Sequence, residues 1–314
     1  MAPMTRVAAV DCGTSSIRLL VADVDPASGT LVDLDRRMEI VRLGQDVDRT
    51  GRLSPEAMTR TLEVTQRYAE VCRELGAERV RFVATSASRD AENAAEFVHG
   101  VQAILGVEPE VVPGGVEAEL SFAGATRELA GDHTPPYLVV DLGGGSTELV
   151  LGADDGVQAA RSVDVGCVRM TERHLTSDPP TGSQVDAATA DVEAALDVAA
   201  ADVPLAQTAT LVGLAGSITT ITAHALRLET YEPQRIHRAV LSVDAVRDAC
   251  TDLLSMTRGQ RAALGFMHPG RVDVIGAGAL VWRCVVDRVV SEAGITEVVT
   301  SEHDILDGIA FSIA

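Results

Sequence analysis

Residues 137–152 read YLVVDLGGGSTELVLG, two apolar strand runs broken by three glycines, with Asp141 before the break and Glu148 after it. Three adjacent glycines raise the entropy lost on folding, so such a run is expected where a ligand must come close to the backbone. A counterpart lies about one domain earlier, VAAVDCGTSSIRLLVADV from Val7. With Asp11 laid on Asp141, Gly13 falls on Gly143, Ser16 on Ser146 and Arg18 on Glu148. The same strand–turn–strand device is used twice, an internal repeat of architecture.

The 314 residues are enough for two domains. Aromatic residues make up only 3%, so the cores must be built from aliphatic side chains. No apolar run reaches the length of a membrane span. The N-terminus runs into the first strand without a leader-like apolar segment, and a cytoplasmic location is expected. The five cysteines are scattered and read as reduced, mostly buried thiols, and the histidines lack metal-ligand spacing. A net charge of −20 argues against a nucleic-acid partner. All 26 basic residues are arginines, so there is no P-loop lysine. A phosphate clamp must use arginine, backbone N–H groups, hydroxyls or a metal.

Along the chain, strands are predicted at Val7–Val10, Ile17–Val24, Leu31–Leu34 and Met38–Leu43. A helix follows from a Ser54 cap with Pro55 at its first position, closed by Gly76. Then come a strand at Val80–Thr85, a helix over Arg89–Leu105, a short strand at Pro109–Val112 and a helix over Gly114–Leu129. The second half repeats the theme, with strands at Tyr137–Leu142, Thr147–Leu151 and Gln158–Val165, a strand ending in the Gly213–Gly216 turn, a helix capped by Ser217, a helix over Arg271–Ala293, a late strand and a last helix from His303. The domain break is placed in Gly124–Pro136, giving domains 1–125 and 126–314.

In each Asp-Gly turn, Gly13, Thr14, Ser15 and Ser16, and Gly143, Gly144, Gly145, Ser146 and Thr147, can present N–H and hydroxyl donors to an anion. A carboxylate there would repel phosphate unless it holds a metal that bridges to it, so Asp11, Asp141 and Glu148 read as magnesium-side ligands. Gly216 and Ser217, at a strand-to-helix turn, form a third phosphate- or nucleoside-contacting element.

The segments DCGTSSIRLLV, ATSASRDAEN, GGVEAELSFAG, VDLGGGSTEL, VGCVRMTERHL, GLAGSITTITA and RVDVIGAGALV occur in the order seen in the exopolyphosphatase/guanosine-pentaphosphate phosphatase (Ppx/GppA) family. The chain resembles that family from Arg6 to Gly308. The resemblance implies an α/β fold of two actin-like (ribonuclease H-like) domains, each a mixed five-stranded sheet with flanking helices, with the active site in a cleft between them. It implies the short, two-domain form, the last helix crossing back to the first domain. It also implies Mg²⁺-dependent removal of a terminal phosphoryl group from inorganic polyphosphate or from pppGpp, a homodimer and no membrane partner. The family's general base falls on Glu117 and its phosphate-clamping arginine on Arg89, with Asn93 on a family asparagine. Arg42, Arg235, His237 and Arg271 sit in matching segments and could line a phosphate channel, whereas Arg18 is expected to pair with an acid. The sequence departs from the family pattern at Ser15, Val116 and Glu119, which bears on rate and chain-length preference. The Glu117 segment argues against a small-molecule kinase on the same fold, and Asp141, Glu148 and Glu117 together argue against a nucleotide sensor without turnover.

Overall fold

The computed structural model of the chain describes residues 4–25, 27–127, 129 and 131–314. The backbone falls into two units, Met1–Arg127 with Ile305–Ala314, and Glu128–Asp304. In the first, β1 (Thr5–Cys12), β2 (Ser16–Asp25) and β3 (Thr30–Ile40) follow one another as antiparallel hairpins. β4 (Arg79–Ala84) pairs parallel to β1, and β5 (Glu110–Val111) parallel to β4, in the order β3-β2-β1-β4-β5.

The run expected at Leu31–Leu34 and the first half of that expected at Met38–Leu43 belong to the single strand β3, which ends at Ile40, and Asp35-Arg36-Arg37 does not turn. The charged residues stay in the strand because they are satisfied laterally. Arg37 pairs with Asp35 at 2.7 Å, and Arg36 with Asp33 at 2.7 Å and with buried Asp307 at 2.6 Å. The ladder shifts register between Val21 and Ala22, and charges plus a bulge are a common defence of an exposed edge strand.

Helices cover both faces of this sheet. The Pro55–Glu74 helix begins as its sequence predicts, Ser54 Oγ accepting from Ala57 N–H with Pro55 at the first helical position. The helix expected over Arg89–Leu105 is instead two, Ser86–Asp90 and Ala94–Leu105, separated by an extended Ala91. Asn93, in the break, uses its side chain to bond both N–H (2.8 Å) and C=O (3.0 Å) of Leu53. On the other face, the last helix, Ile305–Ser312, packs on β1 and β2, and the Gly114–Thr126 helix packs against that helix and brings Leu120 into the same core. The two helices cross so closely that a Cβ on Gly308 would lie 2.0 Å from Leu120 O.

The second unit repeats the plan. β6 (Tyr137–Leu142), β7 (Thr147–Ala153) and β8 (Gly156–Val163) are antiparallel, and β9 (Thr210–Leu214) pairs parallel to β6. The sheet has six strands rather than five, in the order β10-β11-β9-β6-β7-β8. The extra strand is β10 (Val240–Ser242), antiparallel on β11 (Glu297–Thr300); three residues leading straight into a helix give no periodic signal of their own. Arg271 ends a single 3-10 turn, Pro269–Arg271, and the long helix starts later, at Ile275. One aliphatic core runs through this unit, with Trp282 as its largest buried side chain.

Candidate active site

The two glycine loops have the same internal geometry. Gly13 N–H donates to Ser16 O and Gly143 N–H to Ser146 O, both at 3.0 Å. Each loop is held from outside by the segment leaving the third strand of its hairpin pair. In the first unit, Ser15 O accepts from Val41 and Arg42 N–H and Thr14 O from Gly44 N–H. In the second, Gly143 O accepts from Cys167 N–H, and Gly144 O from Val168 and Arg169 N–H. Both segments carry a glycine where a side chain would collide with the loop. A Cβ on Gly44 would lie 2.5 Å from Thr14 Cγ2, and one on Gly166 2.5 Å from the carbonyl of Gly144.

With their carbonyls so engaged, the loops turn their N–H groups elsewhere. Among the described residues no protein acceptor takes the N–H of Thr14 or Ser15, or those of Gly144, Gly145 or Ser146. Successive N–H groups of this kind form an anion-binding concavity. The hydroxyls are less available. Thr14 Oγ1 bonds Ser86 Oγ at 2.8 Å, and Thr147 Oγ1 donates to Val165 O at 2.5 Å. Gly145 O accepts from Arg169 Nε at 2.8 Å, placing a cation against the second loop.

In the first unit the parallel strands β1, β4 and β5 end together, Cys12 beside Ala84 and Ala84 beside Val111. Their carboxyl ends therefore gather the Gly13 loop, the Ser86–Asp90 helix and the start of the Gly114–Thr126 helix. Arg89 leaves the second of these and Glu117 the third, and they meet: Arg89 Nη1 donates to Glu117 Oε2 and to Val112 O, both at 3.1 Å. Glu117 is buried in the first turn of its helix, where the helix dipole favours a negative charge and the guanidinium balances it. Val116 packs among the apolar residues under the last helix, and Glu119 is exposed.

In the second unit β6 and β9 end side by side, Asp141 opposite Leu214, so the Gly143 loop neighbours the Gly216 turn. The Ala215–Ala225 helix starts two residues before Ser217, with Leu214 at its cap. Ser217 is therefore not the cap; it is buried against Cys167, whose thiol it hydrogen-bonds, and against Gly278. Gly216 is a glycine because the Arg271 guanidinium lies on it, 2.2 Å from where a Cβ would stand. Arg271 Nη1 also donates to Thr220 Oγ1 at 3.1 Å. Among the other arginines and histidines expected near phosphate, Arg42 abuts the first loop through its backbone and Arg235 faces Glu232 at 3.6 Å. His237 accepts from Glu302 N–H through Nδ1 and stacks on His303.

The carboxylates expected to hold a metal differ between the units. Asp11 is paired with Arg18, as the sequence led one to expect of Arg18, at 2.7 and 2.9 Å through one oxygen, Oδ2. Asp141 and Glu148 face each other across β6 and β7, both buried, and Ser162 Oγ donates to Glu148 Oε1 at 2.7 Å. Among the described residues no group of three or more carboxylate, imidazole or thiol side chains is gathered tightly enough to hold a metal. Two facing carboxylates are nonetheless hard oxygen donors of the kind magnesium takes when substrate and water complete its shell.

Gly44, Gly166 and Arg169 belong to this arrangement and were not singled out from the sequence.

The fold and this arrangement match a known family. Residues 20–312 match the Ppx/GppA phosphatase family, and the chain belongs to it. It is 50% identical to "Exopolyphosphatase 2" of Mycobacterium tuberculosis over 99% of each chain. A guanosine-5'-triphosphate,3'-diphosphate pyrophosphatase of Photobacterium profundum is 35% identical over 58% of this chain and 36% of that protein. The crystal structure of an exopolyphosphatase-like protein superposes with a TM-score of 0.96 at 45% identity, covering 99% of this chain and 98% of that one. The Ppx/GppA enzyme of Aquifex aeolicus superposes at 0.81 with 29% identity, over 99% and 100%.

Proposed function

We propose that this chain is an exopolyphosphatase, a phosphoric anhydride hydrolase that releases orthophosphate from the end of inorganic polyphosphate. Half identity over the full length to a protein named for that activity supports the reading, and so does the Arg89–Glu117 pair beside a loop with open N–H groups. Glu117 orients a water towards the terminal phosphorus and accepts its proton as the water oxygen bonds to phosphorus. The bridging P–O bond breaks and its electron pair leaves with the shortened chain. Arg89 holds the carboxylate in place and adds positive charge beside the transferring group. Backbone N–H groups of the Gly13 loop, in the same unit as Glu117 and Arg89, take non-reacting phosphate oxygens. Asp141 and Glu148 are the residues that would hold magnesium, which would offset phosphate charge when bound. The charge of −20 makes these local cations and dipoles the more necessary.

The same chemistry on pppGpp is the second reading, favoured by the likeness to the Photobacterium protein over part of the chain. Family likeness further points to a cytoplasmic homodimer, which sedimentation of the purified chain tests. Among the described residues no helix is long and apolar enough to cross a membrane.

The deciding experiment measures phosphate release with Mg²⁺ from short polyphosphate, long polyphosphate and pppGpp, for the wild type and Glu117→Gln. Faster release from polyphosphate, lost in the variant and on adding EDTA, is expected. Preference for pppGpp would move the protein to the second reading, and a fully active Glu117→Gln would remove Glu117 as base.

A further inference from the structure

A cleft of about 390 Å³ opens within the second unit, between the Cys167–Arg173 helix, the Arg258–Ala262 helix and the first turn of the Ile275–Ala293 helix. No residue of either glycine loop lines it. Arg261 does, and it is only 5% exposed. Its guanidinium donates to three backbone carbonyls, Leu253 O at 3.0 Å, Leu254 O at 3.4 Å and Val272 O at 3.5 Å. Arginine is almost never fully buried unless it is paired. The two acids of the cleft, Asp178 and Asp273, offset the burial of Arg261 only from a distance, and its pKa is lowered. Both acids are engaged by Arg258. Asp178 accepts the Arg258 N–H through both oxygens at 2.8 and 2.9 Å, and Asp273 accepts from Arg258 Nε at 2.6 Å.

Arg261 also sits between two helix ends of opposite sign. Leu253 and Leu254 belong to the last turn of the Val243–Ser255 helix, where the free carbonyls amount to about half a negative charge. Gly276 belongs to the first turn of the Ile275–Ala293 helix, where the free N–H groups amount to about half a positive charge. The two contributions roughly cancel and leave the guanidinium charge whole. Gly276 lets the two positive groups meet, since a Cβ there would stand 2.8 Å from Arg261 Nη2. Gly276 and Ala277 both line the cleft, and among the described residues no backbone carbonyl takes their N–H groups. Val274, which precedes the helix, supplies no side-chain cap. A buried guanidinium and open first-turn N–H groups bordering one cleft are the donor set that oxyanions take.

We propose that this cleft binds a small oxyanion, a phosphoryl or carboxylate group, held by the Arg261 guanidinium and the N–H groups of Gly276 and Ala277. The site is independent of the hydrolase reading. Thr171, on its wall, donates through Oγ1 to Cys167 O at 2.7 Å, and Cys167 N–H holds Gly143 O. The cleft thus lies one helical turn from the anchor of the second loop, and the test must separate binding here from binding there.

The full-length chain, labelled with ¹⁵N, is titrated separately with orthophosphate and with acetate at constant ionic strength, and the amide resonances of Gly276, Ala277, Gly144 and Gly145 are followed by NMR. Saturable shifts at Gly276 and Ala277 are expected, and the ion that binds tighter tells a phosphoryl ligand from a carboxylate one. Arg261→Gln removes the charged donor and is expected to weaken this binding by about 10–100-fold while the loop amides respond as in the wild type. Gly276→Ala, whose methyl group would crowd Arg261 Nη2, is expected to weaken it as well, read at Ala277. Circular dichroism and melting establish that each variant is folded, and if Arg261→Gln fails to fold, Gly276→Ala decides. The absence of saturable shifts at Gly276 and Ala277 with either ion would overturn the proposal. So would unchanged affinity in the folded variants, or shifts that track Gly144 and Gly145 with a single affinity and so report an ion on the loop.

Discussion

Replacing Gly166 with alanine probes the contact that shapes the second glycine loop. A Cβ at this position would stand 2.5 Å from both the carbonyl carbon and oxygen of Gly144, and 2.7 Å from Gly145 N. Carbon contacts relax at about 3.5 Å or more, so the loop or the Gly166 segment must move by about 1 Å. The obstructing atoms are backbone, so no rotamer change can absorb the clash. The same backbone accepts the N–H groups of Cys167, Val168 and Arg169, so displacement of the loop also strains those bonds. Overpacking of this kind costs about 1–3 kcal/mol. For a unit of this size that lowers the melting temperature by roughly 2–12 °C. A misplacement of about 1 Å in groups that position substrate costs about 100-fold in rate. Calorimetric melting and kcat/KM for phosphate release would measure the two effects. Gly182→Ala is the control, because nothing lies within 4 Å of its Cβ position at the start of the Gly182–Asp202 helix. It is expected to leave stability unchanged or raise it by up to about 1 kcal/mol. A Gly166→Ala protein with wild-type melting temperature and kcat/KM would refute the idea that this close approach sets the loop.

Glu117→Gln should lower kcat for phosphate release by about 10²–10⁴-fold while the melting temperature stays near wild type, measured by steady-state kinetics and calorimetry. Gly44→Ala should be milder than Gly166→Ala in the same assays, since the atoms in its way are the Thr14 and Ala87 side chains, and the Thr14–Ser86 bond can give. Arg36→Ala removes a partly exposed cation from Asp307, which is 1% exposed on the last helix, and should cost about 2 kcal/mol in urea unfolding. Burial and the nearby Arg271 charge lower the pKa of His268, and its Nδ1 accepts from Gly270 N–H, which requires the neutral ring. A folded-state value below the unfolded one means stability is full above the unfolded value, about 6.5, and is lost as pH falls through the folded value. His268→Asn, which keeps an acceptor and cannot titrate, should flatten that acid limb in melts taken across pH.

Much of the fold was legible because it is local and repeated. Apolar runs of strand length, the Ser54-Pro55 start and the Asp-Gly turns each encode their own conformation, and two copies of the same turn marked the architecture. Where the reading went astray, a partner distant in sequence had decided the outcome. Asp35-Arg36-Arg37 remains in a strand because acids beside it and Asp307, far along the chain, take its charges. The helix from Arg89 breaks at Asn93, whose side chain serves Leu53. The short edge strand β10 exists because β11 is there to pair with it.

The candidate site divides in the same way. Sequence alone determined which residue types could act: the glycine runs, the acids at Asp11, Asp141 and Glu148, and a phosphate clamp limited to arginine, backbone N–H groups, hydroxyls or a metal, while Glu117 was marked only by the family resemblance. Backbone freedom and side-chain chemistry are properties of each residue, and they can be read without a fold. Only the tertiary structure decided which groups meet. Parallel strands ending together bring Arg89 onto Glu117, cross-strand register sets Arg18 against Asp11 but Glu148 against Asp141, and close approach explains Gly166 and Gly216. Ser217 looked like a cap by spacing and is instead the hydrogen-bond partner of Cys167. Pairing depends on register and approach in space, and those are set only when the sheets and helices have closed on one another.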